Sequence, residues 1–219
     1  MFKTIKEAML VVGGSLSEPS KMPCFGFSIP AQKCITGAKL RKVVNSVCSK
    51  CYALKGRYVF GNIKTALMRR YDALNHPQWV NAMAFMIAKR EKSGFFRWHD
   101  SGDLQSVEHL QNIVKVCELT PHIRHWIPTR EYVGQNGQQS IVAQWFAQYG
   151  KLPENLTMRL SALMLEGAAP IAIAQKYGLT TSGVSKTGFT CPSVNQGGKC
   201  LDCRACWNKE IANVNYKQH

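Results

Sequence analysis

Eight of the nine cysteines of this 219-residue chain fall into two groups whose composition and spacing suggest metal ligands. The C-terminal group lies in the stretch TCPSVNQGGKCLDCRACW, where Cys200, Cys203 and Cys206 form a Cys-x2-Cys-x2-Cys repeat. This repeat keeps three thiolates on a short turn and is the spacing of cubane iron–sulfur clusters in bacterial ferredoxins. Two adjacent glycines allow the backbone to fold around the ligand, so that Cys191 can supply a fourth thiolate. The C-terminal group therefore predicts a [4Fe-4S] cluster.

Zinc binding and disulfide formation are the two alternatives for these cysteines. Zinc also takes four cysteines, but usually as two well-separated Cys-x2-Cys pairs rather than as three cysteines in a run. Disulfides are disfavoured because the N-terminal stretch MFKTIKEAMLVVGG has only a short apolar run and no small-residue cleavage pattern. A cysteine-rich chain without an export signal is expected in the reducing cytoplasm, where its thiols bind metal.

The second cysteine group lies near the N-terminus and consists of Cys24, Cys34, Cys48 and Cys51. Its gaps are irregular, and Cys24 and Cys34 are expected in a loop. All four could hold a second site, or Cys34, Cys48 and Cys51 alone could hold a radical-type cluster with one iron left open. The two groups could also share a single cluster, so one or two clusters are both consistent with the sequence. The ninth cysteine, Cys117, lies on an apolar helical stripe and is predicted to be a buried small hydrophobe.

The elements that must position these groups alternate between strands and helices through the middle of the chain. Strands are predicted at FFRWHD (95–100), HIRHWIPTR (122–130) and LTMRLSAL (156–163), with a further strand at SGVSKT (182–187). Helical patterns cover 63–74, 77–93, 107–117 with Ser106 as cap, 138–149 and 170–178. The turn-rich stretch 13–23 is predicted to be a loop. This alternation indicates an α/β fold, with a parallel sheet or partial βα barrel.

Polar residues follow or end three of the predicted strands, where parallel sheets place their chemistry. We predict that these side chains meet at one edge of the sheet and position a polar small molecule. The candidate catalytic residues are His99, Asp100, Asp103, Arg130 and Arg159, and the candidate cofactor-binding residues are Ser101, Gly102 and Glu131. The other histidines, His76, His109, His122 and His125, are interpreted as structural.

The chain is strongly basic, with a formal net charge of +15 and a sequence pI near 9.6. Such an excess of Lys and Arg favours contact with nucleic acid, although a scattered solvated surface explains it equally well. The basic residues considered are Lys39, Arg41, Lys42, Arg69, Arg70, Lys89, Arg90 and Lys92. The nearly apolar segment at 167–174 is far shorter than the roughly 18 residues of a membrane-spanning helix, so no membrane partner is expected.

Five segments together resemble the bacteriophage family called gene product 88. They are PCFGFSIPAQKC, CSKCYA, RWHDSGDLQSVEHL, HWIPTRE and CPSVNQGGKCLDCRACW, in this order. The family is distantly similar to radical S-adenosylmethionine enzymes, which place cysteines ahead of a partial βα barrel and carry a cysteine-rich auxiliary element. The resemblance implies the same architecture here and S-adenosylmethionine as a candidate cofactor. Thirteen residues separate Cys34 from Cys48, where those enzymes usually have three, and Ser101-Gly102-Asp103 stands in place of their glycine-rich motif.

The resulting hypothesis is a phage iron–sulfur protein in the cytoplasm of the infected host, using its cluster in redox or radical chemistry on an unknown substrate. Residues 1–186 would form the partial barrel with the N-terminal cysteines, and 187–219 a cysteine-rich metal-binding segment. The alternative is a non-catalytic protein stapled by iron–sulfur or zinc, which binds nucleic acid or a host protein through its basic surface.

Overall fold

Six parallel strands form one sheet in which the spatial order follows the chain order from β1 to β6. The computed structural model describes residues 2–185 and 189–217. The strands are β1 Gly26–Phe27, β2 Phe95–Trp98, β3 Arg124–Thr129, β4 Leu156–Ser161, β5 Thr180–Gly183 and β6 Asn213–Asn215. The helices are α1 Ile5–Val12, α2 Ile35–Leu40, α3 Gly61–Asp72, α4 Trp79–Arg90, α5 Val107–Leu119, α6 Ile141–Tyr149 and α7 Ile171–Lys176. The mixed α/β fold with a parallel sheet is confirmed.

The sheet follows the chain order, and its two outermost strands, β1 and β6, make further isolated bridges to Ser17 and Thr190. Each strand pairs with its sequence neighbour in parallel, as in the register His125↔Leu156 between β3 and β4. No backbone pairing joins β1 to β6 among the residues that the structure describes. The predicted parallel sheet flanked by helices is therefore confirmed, whereas the partial barrel stays a prediction.

The predicted strands and helices of the middle of the chain are confirmed, mostly with shorter bounds. The strand expected at 182–187 is displaced and forms β5 at Thr180–Gly183, while residues 186 and 187 lie outside the described part of the chain. Ser106 caps α5 by accepting a hydrogen bond from the His109 backbone N–H at 3.0 Å. Cys117 is fully buried, as predicted for a small hydrophobe.

Four short elements were not predicted: α1, β1, α2 and β6. α1 begins at the cap Thr4, whose hydroxyl accepts from the Glu7 N–H, and ends at Gly13 with φ of 81°. β1 and β6 have two and three residues, too few for a period-2 pattern to be visible. The expectation of one loop holding both Cys24 and Cys34 is wrong, because β1 lies between them.

The sheet is apolar on both faces, as expected for a parallel sheet. On the helix side, Phe96 and Trp98 of β2 pack in a core with Trp79 of α4 and Leu110 of α5. On the other face, a second buried cluster contains Trp126, Trp207, Val214 and several cysteines. This second cluster is covered by the C-terminal segment, whose strand β6 pairs with β5.

The proposed boundary between residues 186 and 187 lies outside the described residues. In the part of the chain that the structure describes, no helix has both the length and the apolar character needed to cross a membrane.

Candidate metal centres

Three of the N-terminal cysteines converge at the carboxyl-terminal edge of the sheet, and we call Cys34, Cys48 and Cys51 the rim cysteines. The Sγ atoms of Cys34 and Cys48 lie 3.7 and 3.5 Å from the position that a Cβ atom on Gly37 would occupy. The Cys51 N–H donates to the Cys48 carbonyl at 3.2 Å, which closes a 3-10 turn between them. The Cys34 and Cys48 sulfurs therefore both lie near Gly37, and Cys51 follows in the next turn. Binding of one metal by these three cysteines stays a prediction, since no metal-binding group is found among the described residues.

The 13 residues between Cys34 and Cys48 form α2 and a turn that bridges the ends of two strands. At the start of α2, the Thr36 N–H and hydroxyl donate to the two carboxylate oxygens of Glu131 at 2.9 and 2.7 Å. At the far end, the Val47 N–H donates to the Leu163 carbonyl at 2.9 Å. The interval between Cys34 and Cys48 is thus bound to Glu131, which follows β3, and to Leu163, which follows β4. These contacts position the rim cysteines over the sheet edge.

Two of the predicted polar strand ends meet beside the rim cysteines. Asp103, which follows β2, accepts hydrogen bonds from the Thr129 hydroxyl at 2.6 Å and from the Arg130 N–H at 2.9 Å. Arg130 in turn donates from Nε to the Ala162 carbonyl beyond β4 at 3.1 Å. Asp103, Arg130 and Glu131 therefore lie together at the ends of β2 and β3, as predicted.

Both acidic and basic side chains lie near the rim cysteines, but burial has the largest effect on the pKa values there. Burial raises the pKa of Asp103, and burial together with the charge of Asp103 raises the pKa of Glu131 to about 7. Burial also raises the pKa of the Cys34 and Cys48 thiols, while the nearby Arg130 guanidinium acts in the opposite direction on the pKa of Cys48. Burial therefore favours the protonated thiols at neutral pH, and a bound metal, whose positive charge favours thiolates, would act against this effect.

His99, Asp100, Ser101 and Gly102 lie in the turn after β2, and their contacts are with the chain itself. The Asp100 carboxylate accepts hydrogen bonds from the Ser28 and Tyr58 hydroxyls, and its backbone carbonyl accepts from the Tyr52 hydroxyl. Gly102 has a φ of 88°, and a Cβ atom at this position would lie 2.3 Å from Ile29 Cγ1. The absence of a side chain therefore lets the turn pack closely against the residues that follow β1.

His99 is buried in an unusual backbone conformation. Its φ is 57°, and its ring packs against the ring of His109 with centroids 5.2 Å apart. Neither ring nitrogen of His99 nor the Ser101 hydroxyl has a hydrogen-bond partner among the described residues. Burial lowers the pKa of His99 below its usual value, which favours the neutral imidazole.

Five further cysteines lie on the sheet face opposite the helical core, four in its buried cluster and Cys200 beside them, and we call them the face cysteines: Cys24, Cys191, Cys200, Cys203 and Cys206. The Cys200 N–H donates to the Lys21 carbonyl at 2.8 Å, which brings the C-terminal loop against the turn that precedes β1 in sequence. The Cys206 sulfur lies 3.1 Å from the Tyr216 hydroxyl. The sequence grouping of Cys24 with the N-terminal cysteines is therefore wrong in space, because Cys24 lies at the opposite end of β1 from Cys34.

Arg159 lies within this second region rather than beside the rim cysteines. Its side chain is fully buried, and its five N–H donors all bind backbone carbonyls. The acceptors are the carbonyl oxygens of Thr181, Ala205, Cys206, Asn208 and Ile211, at 2.7 to 3.1 Å. This arrangement makes Arg159 a clamp for the segment that carries Cys206 and leaves it no free donor for a small molecule.

Sequence inspection overlooked Arg97, whose guanidinium lies 4.7 Å from the centre of the Trp126 ring on the same face as the face cysteines. The signal was a single charge in the middle of the apolar strand FFRW. Among the described groups, its charge acts favourably on the thiolate forms of Cys24, Cys200 and Cys206.

The cysteines form neither a disulfide nor a single-ion metal site among the described residues. All nine cysteines are free thiols, so none is committed to a disulfide. In the described part of the chain, no group of three or more His, Cys, Asp or Glu side chains is arranged to hold a metal ion.

One surface hollow lies away from both cysteine groups. Its volume is about 540 Å³, and it lies between α6 and α7, lined by residues such as Phe146, Lys176 and Tyr177. No cysteine lines it, so the chemistry suggested by the two cysteine groups does not depend on it.

A family model described as Gene product 88 matches residues 3–209 of the chain. No curated protein and no solved structure matches the chain.

Proposed function

The chain belongs to the gene product 88 family, and on that premise we propose that it is an iron–sulfur enzyme with two metal centres. The observation that carries the proposal is the separation of eight cysteines into three at the carboxyl edge of a parallel sheet and five on one of its faces. Parallel sheets place their reacting groups at the carboxyl edge. The rim cysteines therefore hold the reacting centre, and the face cysteines hold the second centre.

The rim cysteines suit a cluster that reacts with a small molecule. Three thiolates leave one iron of a cubane without a protein ligand. When bound, such a cluster supplies single-electron transfer at an iron that a small molecule can reach. No such position is left where four or more thiolates are available, as among the face cysteines.

The neighbouring residues supply orientation. Arg130 is held by its backbone N–H and its Nε, and no described residue accepts a hydrogen bond from its two Nη groups. Those groups can bind a carboxylate or phosphate in bidentate fashion. Asp103 fixes Arg130 through its backbone, and Glu131 fixes the start of α2, so both carboxylates position the elements around the bound molecule.

S-adenosylmethionine is the candidate co-substrate in this proposal. The support is a likeness of arrangement: parallel strands in chain order, three cysteines beyond β1 at the carboxyl edge, and further cysteines in the C-terminal segment. A likeness of fold does not by itself assign chemistry. We therefore rest the co-substrate on a binding measurement rather than on the fold.

The test is iron and sulfide stoichiometry in protein purified without oxygen, comparing two matched triple variants. We expect about eight iron atoms per chain if both centres are cubanes, and a loss of about four in C34S/C48S/C51S and in C200S/C203S/C206S. C117A, which alters a core cysteine, should keep all of them. Equilibrium dialysis should detect S-adenosylmethionine on the wild type and on the second variant but not on the rim variant.

A second candidate function is a non-catalytic metal staple, and the Arg159 clamp favours it for the face cysteines. Metal ligation can stabilise a fold outright. A protein that contains zinc without sulfide, or that keeps its full iron content after loss of the rim cysteines, would contradict the enzymatic proposal.

A further inference from the structure

The positive charge of the chain is concentrated in one segment. Between Glu18 and Asp72 there is no acidic residue, whereas eleven of the 28 Lys and Arg residues fall in this interval. This interval, residues 19–71, is called the basic segment below. It accounts for eleven of the fifteen net positive charges, so the rest of the chain is close to electrical balance.

The basic segment carries the rim cysteines and lies over the carboxyl edge of the sheet. It is attached there by the contacts of Thr36 with Glu131, of Val47 with Leu163, and of Tyr58 with Asp100. Eight of its cations are exposed, of which six lie in or beside the attached part 36–58 and two lie in α3. They are Lys33, Lys39, Lys42, Lys50, Lys55, Arg57, Lys64 and Arg69.

These cations have no acidic partners in the described part of the chain. The single ion pair recorded there joins Arg90 to Glu18, and neither residue belongs to the basic segment. Eight exposed cations without neutralising carboxylates repel one another, so the segment is complementary to a polyanion rather than to a neutral or cationic partner.

Exposed apolar and aromatic side chains are interleaved with the cations. Phe60 is 58% exposed and Val44 80% exposed, and Tyr52 and Val59 are each 41% exposed. Phe60 lies directly before α3, three residues after Arg57. Cations that follow a backbone and aromatic faces on which bases stack are the combination used to bind single-stranded nucleic acid.

We propose that the substrate of the rim centre is a nucleotide within single-stranded nucleic acid, which the basic segment holds by its phosphates while Phe60 stacks on a base. This inference rests on the proposed function for its chemistry, but the binding itself does not require it. The strand crosses the carboxyl edge of the sheet, so that one nucleotide lies over the rim cysteines. Arg130, with its free Nη groups at the same edge, is placed to contact a phosphate of that nucleotide.

The test is fluorescence anisotropy with a labelled 20-nucleotide single strand of mixed sequence, in separate DNA and RNA arms, using the full chain. The variant K42Q/K50Q/K55Q removes three cations of the basic segment. The control K89Q/K115Q/K176Q removes three exposed lysines from α4, α5 and α7. We expect about tenfold weaker binding for the first variant, a salt slope smaller by about 2, and wild-type behaviour for the control.

The stacking of Phe60 on a base is tested with a separate pair of variants. F60A should weaken binding about fivefold or more, and L119A, which removes another half-exposed apolar side chain, should not. Ultraviolet crosslinking of the bound strand should label peptides of the basic segment. The DNA and RNA arms identify which sugar the surface prefers.

Three results would overturn the inference: no binding at 50 mM salt, equal losses in the two lysine variants, or binding to anionic vesicles that exceeds binding to both strands. Iron and sulfide are measured in the same preparation. A protein with a full iron content that does not bind either strand contradicts this inference alone, whereas a strand-binding protein without iron contradicts the proposed function.

Discussion

At the scale of single residues, two buried polar side chains have definite structural tasks. Arg159 satisfies five carbonyls, most of them in the segment 205–211 that carries Cys206 and Trp207. His125 is held on the opposite face of the sheet, between the Trp98 indole and the Thr120 hydroxyl. Both side chains form buried hydrogen bonds with polar groups. Replacing either residue should therefore lower the free energy of unfolding.

We expect Arg159→Met to destabilise the protein by about 3 kcal/mol or more, because several buried carbonyls would lose their donors. Chemical denaturation measures the loss, and metal analysis should show that the face cysteines, not the rim cysteines, lose metal. Arg124→Met alters an exposed arginine at the start of β3 and is the control. Equal destabilisation by the two variants would refute the clamp.

A second prediction concerns pH. Burial and the neighbouring His122 lower the pKa of His125 to about 3, and its Nδ1 accepts from the Trp98 N–H, which leaves no place for a second proton. Because the unfolded-state pKa is about 6.5, the unfolded chain binds the proton first as the pH falls. The stability provided by neutral His125 is therefore complete above pH 6.5 and declines below it by about 1.4 kcal/mol per pH unit until the pH approaches 3.

Denaturation curves between pH 7 and pH 4 measure this slope. His125→Gln should reduce it, and His122→Gln, at an exposed position, should leave it nearly unchanged. A His125→Gln protein with the wild-type slope would show that another group controls the acid sensitivity.

At the scale of elements, α2 is the device that makes the rim cysteines neighbours. It occupies part of the 13-residue interval between Cys34 and Cys48, and its start and its far end are bound beyond β3 and β4. Gly37 lies in this helix beside the Cys34 and Cys48 sulfurs. Because glycine has no side chain, the helix backbone can approach the two thiols closely.

We expect Gly37→Ala to lower the metal content of the rim cysteines, since the added methyl would lie 3.0 Å from Cys34 Cβ and 3.5 Å from Cys48 Sγ. Gly61→Ala is the matched control, because nothing lies within 4 Å of a Cβ at that helical position. The control should gain about 0.5–1 kcal/mol from helix propensity and keep its metal. Full metal content in Gly37→Ala would show that the space between the thiols is not where metal binds.

At the scale of the whole molecule, the face cysteines come from segments at both ends of the strand order. Cys24 precedes β1, the Cys191 N–H donates to the Asn215 carbonyl of β6, and Cys206 lies in a 3-10 turn that packs on β3 and β4. A metal held by both sets would cross-link the first and last strands and offset the absence of backbone pairing between them in the described residues. Such a cross-link stabilises chiefly by restricting the unfolded chain.

We expect Cys24→Ser to accelerate amide hydrogen exchange in β1 and β6 while exchange in β3 and β4 stays slow, because the central strands are paired on both sides. Hydrogen exchange followed by mass spectrometry measures this, and removal of metal by a chelator should reproduce the pattern. Cys51→Ser, which removes a thiol of the other group, should leave exchange in β6 unchanged. Uniform acceleration across all six strands would argue against a cross-link between the edges.

The sequence alone determined the elements with strong local signals. The helices from α3 to α6 and the strands from β2 to β4 are long enough for their apolar period to be visible, and Ser106 marked the start of α5. The polar strand ends led to the grouping of Asp103, Arg130 and Glu131, whereas metal binding by Cys200, Cys203 and Cys206 stays a prediction.

Only the tertiary structure decided which cysteines share a site and what Arg159 binds. Cys24 and Cys34 are close in sequence, but they lie at opposite ends of β1. This strand has two residues, too few to show an alternating pattern in the sequence. The partners of Arg159 could not be predicted either. They lie 22 to 52 positions away in sequence and are backbone carbonyls, which every residue carries and which therefore leave no sequence signal. Contacts that depend on packing between distant segments, rather than on local periodicity, are set by the fold as a whole.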